Sequence, residues 1–423
     1  MPAATPSTPG RTLKRQVIRR ARLFDSAAGV LRDGTTIVIQ GDRIAAVSQE
    51  PLAVDDVAED IDAAGRVVMP GLIDAHVHVV ATHHDLVKLS QQPPSLTTAQ
   101  SAGLMRDMLH RGFTTVRDAA GADWGLQEAV ATGLREGPRL FIAGFPISQT
   151  GGHADMRPKG VRGAGWFCSC AGLGLTGAIA DGVGEVRRAV REQVRTGANH
   201  IKIMAGGGIS SPTDPLDGTQ FSMEELRAAV EEAEAANLYA LAHAYSPRAV
   251  TRAVQAGVRS IEHGNLIDEA TVREMRKAGT FLVPTLATYA ALAEEGERLG
   301  WSAEMLEKLT RVHAQGVQAV RLAREEGVPI AFGTDLLGHM QSRQTTEYAL
   351  RATALSPVEI LQGATIVAAR LMRQDSHFGQ IVPGAFADLL IVDGDPTTDL
   401  SLLADPARGV LRVMQGGRTV RSH

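Results

Sequence analysis

The chain has 423 residues, 44% of them hydrophobic, with 43 Lys and Arg against 47 Asp and Glu and a formal net charge of -4. With a pI near 6.4 it lacks the basic face that a nucleic-acid or membrane-surface partner requires, and its length supports one large core with a smaller one beside it. No signal peptide or membrane-spanning run is evident, so no membrane partner and a cytoplasmic location are expected. Cys168 and Cys170, its two cysteines, are too few and too close for a disulfide framework or a four-ligand zinc site.

Residues 1–15 open with three prolines and no apolar run, which reads as a disordered lead-in. Between 16 and 66 come short strands, Val17–Leu23, Thr35–Gln40 and Arg43–Val47, too few to cover an apolar face. Residues 380–423 repeat the pattern at Gly384–Asp393 and Gly409–Val420, so the two ends are expected to fold together as one small β-sandwich domain.

The stretch 67–80 reads as a buried strand entered through Pro70-Gly71. Strand side chains alternate, so His76 and His78 face one side, where two imidazoles can grip one metal ion. Apolar strands then alternate with helical patterns: Thr114–Asp118, Arg139–Ala143, His200–Met204, Tyr239–His243, Ser260–His263, Phe281–Pro284 and Pro329–Gly333. Capping boxes at Ser222/Glu225 and Ser356/Glu359 start helices, and Gly112, Gly197, Gly257, Gly279 and Gly327 end them. Eight strand–helix pairs predict an α/β fold, a TIM (β/α)8 barrel over residues 67–379, with its chemistry at the strand C-terminal ends.

Polar residues collect at that rim. Lys202 shares the inward face of the fourth strand with Met204; the fifth ends in His243 and Tyr245, the sixth in His263, and the eighth in Asp335. Each alone is commonly structural, a core histidine or a helix-capping aspartate. Together, at one depth, they describe a metal site.

Pro70-Gly71-Leu72-Ile73-Asp74-Ala75-His76-Val77-His78, His200-Ile201-Lys202, His243, His263 and Gly333-Thr334-Asp335 resemble the binuclear pattern of the amidohydrolase superfamily over essentially the whole chain. The resemblance implies two divalent ions, with zinc suited to this donor set. His76, His78 and Asp335 would hold the first, His243 and His263 the second, and a carbamylated Lys202 would bridge both. It further implies hydrolysis by hydroxide formed from a water between the cations, with Asp335 taking its proton and passing it to the leaving amine. Within the superfamily the chain is similar to the dipeptidase and prolidase branch that includes ochratoxin-hydrolysing amidohydrolases. The markers are Gly151-Gly152-His153-Ala154-Asp155, Ala180-Asp181-Gly182, the run from Lys202 to Pro212, and His243-Ala244-Tyr245. By that likeness Tyr245 polarises the scissile carbonyl and His153 binds a substrate carboxylate. A small-molecule substrate carrying a free carboxylate and a homo-oligomeric state are implied.

The substrate loops are less defined. The 157–182 insertion follows strand three and is read as a lid carrying Trp166 and Phe167; the 336–347 loop offers His339 and Arg343 as substrate contacts. A mononuclear aminohydrolase is disfavoured by Lys202. A lactonase or cyclic-amide hydrolase would keep the metals without needing His153 or Arg343, and a non-catalytic barrel scaffold would be expected to have lost ligands.

Overall fold

The computed structural model describes residues 15–157, 173–210 and 214–422. The expected lead-in therefore falls almost wholly outside them, as do Trp166, Phe167 and both cysteines. Five strands come first: β1 (Arg15–Asp25), β2 (Val30–Gln40), β3 (Arg43–Ser48), β4 (Val57–Asp62) and β5 (Val67–Pro70). Nine follow through the middle of the chain: β6 (Leu72–Val77), β7 (Phe113–Asp118), β8 (Arg139–Ile142), β9 (Ile147–Ser148), β10 (Ala178–Ile179), β11 (Ile201–Met204), β12 (Ala240–Ala244), β13 (Ser260–His263) and β14 (Phe281–Val283). β15 (Leu389–Val392), β16 (Val410–Gln415) and β17 (Arg418–Ser422) close it.

The first five and last three strands form one eight-stranded mixed sheet ordered β17-β16-β15-β5-β1-β2-β3, with β4 also paired to β1. The strand expected to run unbroken over 67–80 is in fact two. Val67–Pro70 pairs antiparallel with Leu389–Val392 in this sheet, while Leu72–Val77 lies in a parallel sheet with β7. The break falls at Gly71, whose N–H donates to Asp388 O at 2.8 Å and where any Cβ would overlap the Thr114 side chain. Strand alternation then divides the burial. Val67, Met69, Leu390 and Val392 face the core shared with Leu72 and Phe113, whereas Val68, Leu389 and Ile391 face a second cluster with Ile18 and Ile37.

The middle strands are parallel and, apart from β10 and the start of β8, buried, in two groups ordered β6-β7-β8 and β10-β9-β11-β12-β13-β14, with helices between them as in α/β proteins. Both capping boxes are formed, Ser222 with Glu225 and Ser356 with Glu359. Gly257, Gly279 and Gly327 cap helices in the left-handed conformation, which glycine adopts without steric cost. The expected strand over 329–333 is reduced to a single bridge, Leu282 to Ile330. Its backbone is shared out instead: Ala331 N donates to Leu282 O at 2.9 Å, Phe332 N to Gly363 O at 3.0 Å, and Phe332 O accepts from Ala75 N at 2.8 Å. After β14 the single expected helix is a pair, Leu286–Glu295 and Ala303–Glu326. Among the described residues no helix is long and apolar enough to cross a membrane.

Candidate active site and metal centre

His76, His78 and Asp335 offer ligand atoms that all lie within 4.8 Å of one another. The carboxylate is 3.1 Å from His78 Nε2 and 3.5 Å from His76 Nε2. From there the imidazoles continue without a gap. The His263 ring lies 5.1 Å from His76, His243 lies 4.6 Å from His263, and His153 stacks on His243 at 4.2 Å. Lys202, 2% exposed, lines the same cavity of about 80 Å³ with these five histidines, Tyr245 and Asp335.

Backbone strain and buried carboxylates set the geometry. His263 (φ +77°), Thr285 (φ +48°) and Asp335 (φ +54°) all occupy the left-handed region, a conformation that non-glycine residues keep only where surrounding contacts over-determine it. Asp74, fully buried, accepts from the backbone N–H of His76 and of Thr334 and from Thr334 Oγ1 at 2.7 Å. One carboxylate thereby joins β6 to the segment presenting Asp335. Asp118 holds the chain after His78 by accepting from Val79 N at 2.7 Å. Its carboxyl is pushed up to about 6 by burial.

The electrostatics favour cation binding. Burial drives His76 and His243 well below the usual histidine pKa, with the Lys202 and His153 charges adding to the respective effects. His263 falls to about 3 because burial outweighs the attraction of Asp335. Neutral imidazoles are the form that ligates metal. For His78, burial also disfavours the charge, but the bond to Asp335 and its negative charge prevail and raise the pKa. Asp335 behaves conversely: burial alone would raise it, and the surrounding histidines hold it well below the usual carboxylate range. Burial lowers Lys202 to about 8, so the uncharged amine, a minor form near neutral pH, is far more accessible than for an exposed lysine. His76 Nε2 is buried with no hydrogen-bond partner among the described residues. An orphaned lone pair facing a carboxylate and further imidazoles fits a divalent cation.

The structure thus gathers His76, His78, Lys202, His243, His263, Asp335, Tyr245 and His153. It does not gather His339 or Arg343. Neither lines the cavity; His339 Nε2 meets Glu295 at 2.6 Å and Arg343 Nη2 meets the same residue at 2.9 Å, so both tie their turn to the helix Leu286–Glu295. A buried carboxylate nearby captured the two side chains that the sequence alone offered to a substrate. Conversely, Thr288, Tyr289, Leu292 and Trp301 line the cavity and were not anticipated, since Leu286-Ala-Thr-Tyr-Ala-Ala-Leu-Ala reads as an ordinary core helix. Glu262 was overlooked although an acidic residue inside an apolar strand is itself a signal.

The fold and this site define a member of a known class, and residues 67–420 match the amidohydrolase family. The chain belongs to that family and is a hydrolase. It is 32% identical to the ochratoxinase of Aspergillus niger over 373 residues, 83% of this chain and 75% of the relative. A prolidase crystallised with N-methylphosphonate-L-proline is 45% identical, superposes with a TM-score of 0.93, and is matched over 97% of this chain and all of that one. A Xaa-Pro dipeptidase with methionine bound in its active site is 30% identical, with a TM-score of 0.87 over 97% of this chain and 100% of its own.

Proposed function

We propose that the protein is a binuclear metal-dependent amidohydrolase that hydrolyses the amide bond to a C-terminal amino acid, in N-acyl amino acids, in dipeptides and in ochratoxin A, whose phenylalanine it would release. The observation that carries this reading is the grouping of His76, His78 and Asp335 within 4.8 Å, continued by His263, His243 and a buried Lys202 whose pKa burial lowers to about 8. The names of the similar proteins, an ochratoxinase, a prolidase and a Xaa-Pro dipeptidase, support the same bond type.

In this reading the middle strands form a closed eight-stranded barrel over residues 67–379, flanked by a domain made from residues 16–66 and 380–423. Closure is supported by Asn199 N donating to Ile142 O at 2.7 Å between the two parallel groups, and by residues 329–335 bonding to both β14 and β6.

His76, His78 and Asp335 would hold one cation, His243 and His263 the other, and carbamylated Lys202 both. Bound divalent ions, zinc by the donor set, supply Lewis acidity that makes water acidic and polarises a carbonyl. The protein's own groups do the rest. Asp335, kept ionised, accepts the proton of the attacking water and delivers it to the leaving amine. The Tyr245 hydroxyl donates to the carbonyl oxygen as negative charge grows there. His153, beside the second pair of imidazoles, receives the substrate carboxylate and so places the amide. Leu292, Trp301 and the Tyr289 ring form a wall against which an apolar side chain would pack.

The test is a panel of N-acyl amino acids, dipeptides and ochratoxin A assayed together with metal content on one sample. Two metals per chain and release of the C-terminal amino acid are expected. Full activity in metal-stripped protein would overturn the reading.

A further inference from the structure

We infer that Tyr289 and Thr285 are positioning residues that fix the direction of the Tyr245 hydroxyl proton, so that Tyr245 enters the cavity as a donor. Four buried groups form a chain. His263 Nδ1 lies 2.8 Å from Thr285 Oγ1, Thr285 Oγ1 lies 3.5 Å from Tyr289 Oη, and Tyr289 Oη lies 3.1 Å from Tyr245 Oη. His263 and Tyr245 are each 2% exposed, Tyr289 1% and Thr285 0%, so water does not compete along it.

Each hydroxyl carries one proton, and a neutral imidazole one N–H. The chain therefore has two self-consistent polarities. If His263 is protonated at Nδ1, it donates to Thr285, Thr285 to Tyr289 and Tyr289 to Tyr245, and the remaining proton, that of Tyr245, is directed at the cavity. If His263 is protonated at Nε2, every arrow reverses and Tyr245 points away. A His263 that uses its Nε2 lone pair as a ligand must be protonated at Nδ1. The residues that prepare the metal side thus also select the donor form of Tyr245.

The local backbone supports a purpose for this arrangement. Thr285 is β-branched yet sits at φ +48° and ψ 50°, immediately before the helix Leu286–Glu295. That conformation is a genuine outlier for such a residue. It swings the chain from β14 into the helix so that Thr285 and Tyr289, four apart, present their hydroxyls to one another. Glycine would relieve the strain but would remove the hydroxyl.

This inference rests on the proposed role of Tyr245 as carbonyl donor, and the experiment separates the two. kcat and KM are measured on the best-hydrolysed member of the amide panel for Tyr289→Phe, Tyr245→Phe, the double variant, Thr285→Val and Thr285→Ser. Metal content, Tm and affinity for an N-methylphosphonyl amino acid, a mimic of the oxyanion, are measured alongside. Tyr245→Phe is expected to lower kcat about 100-fold, as loss of one oxyanion donor does. Tyr289→Phe and Thr285→Val should each lower kcat about 10-fold and weaken phosphonate binding in proportion, with KM and metal content unchanged and Thr285→Ser restoring activity. In the Tyr245→Phe background the Tyr289→Phe loss should shrink below about twofold, because the two act as one unit. If Tyr245→Phe left kcat intact, or no panel member were hydrolysed, the reading of the site would fall and this inference with it. If Tyr245→Phe lowered kcat but Tyr289→Phe cost as much with or without Tyr245, or acted only through Tm, the positioning role alone would be overturned.

Discussion

Glu262 Oε2 lies 2.6 Å from His76 Nδ1, both residues being buried, and the same carboxylate receives Arg117 Nη2 at 2.8 Å on each oxygen. The pair assigns the imidazole proton to Nδ1 and leaves the Nε2 lone pair facing Asp335. Ser260 Oγ completes the set at 2.5 Å from Glu262 Oε1, so Arg117 and Ser260 fix the carboxylate that fixes the histidine.

Substituting Glu262→Gln should therefore weaken metal retention about 10- to 100-fold, as loss of an outer partner of a ligating histidine does. Competition with a chelator measures it. Glu262→Leu is predicted to act on folding instead, since it strands the Arg117 guanidinium, at a cost of about 3–5 kcal/mol. Wild-type metal affinity in Glu262→Gln would show that Glu262 serves only the core.

Lys202 gives a pH dependence with a definite sign. Carbamate forms on the neutral amine, and the pKa is about 8 because burial disfavours the ammonium. Below that value the lysine is mainly protonated and unreactive; above it the amine is free. Reconstitution of metal-free protein with zinc at a fixed concentration of dissolved carbon dioxide should thus accelerate as pH rises through about 8 and level off beyond it. Lys202→Ala should bind far less metal and lose nearly all turnover. A rate independent of pH between 7 and 9 would rule out the amine as the reacting group.

A second buried ion pair makes a prediction about stability. Arg351 Nε meets Glu347 at 2.7 Å, both side chains are fully buried, and Arg351 also donates to Ala331 O while Glu347 accepts from Ala287 N. This pair links the segment before Asp335 to the start of the helix that carries Tyr289. Arg351→Met should cost about 3–5 kcal/mol by leaving a buried carboxylate uncompensated, whereas Arg351→Met with Glu347→Leu should recover much of it. Denaturant midpoints on metal-loaded protein decide between that outcome and simple additivity.

Most of this site was legible in the sequence because its ligands sit on short buried strands, where alternation tells which side chains point together. His76 with His78, and His243 with Tyr245, follow from a period of two. The less legible parts depend on contacts between distant segments. Nothing local says that Gly71 divides the 67–80 stretch, because the cause is the Thr114 side chain lying against it. Nothing local says that Glu295 will claim His339 and Arg343. The residues 329–333 read as a strand and carry strand-like apolar content, yet Phe332 gives its N–H to Gly363 and leaves the ladder. Tyr289 was hidden for a related reason, since its role comes from the conformation of Thr285.

The terminal sheet bears on the site through β5. Leu389–Val392 pairs with Val67–Pro70, which leads directly into the strand of His76. Removing residues 384–423 should expose Val67, Val68 and Met69, all fully buried, and give insoluble protein. A soluble, active truncation would separate the terminal segments from the integrity of the site.

The last prediction concerns what the site recognises. His153 stacks on His243, and its Nδ1, 3.5 Å from Asp214 Oδ2, makes no hydrogen bond among the described residues. A buried imidazole nitrogen at the cavity wall without a hydrogen-bond partner among the described residues is placed to donate to an anionic group of the substrate. The ring is also held in place: a side chain at Gly208 would collide with it, and Gln220 Oε1 accepts from His153 N at 3.0 Å. The comparison to make is kcat/KM for an N-aroyl phenylalanine against its carboxamide. The free acid should be preferred by about 1.5–3 kcal/mol, the worth of a hydrogen bond to a charged group, and His153→Ala should erase most of that preference while sparing metal content. Equal losses on both compounds would mean that His153 only shapes the loop, and no advantage for the acid in the wild type would remove the carboxylate from the definition of the substrate.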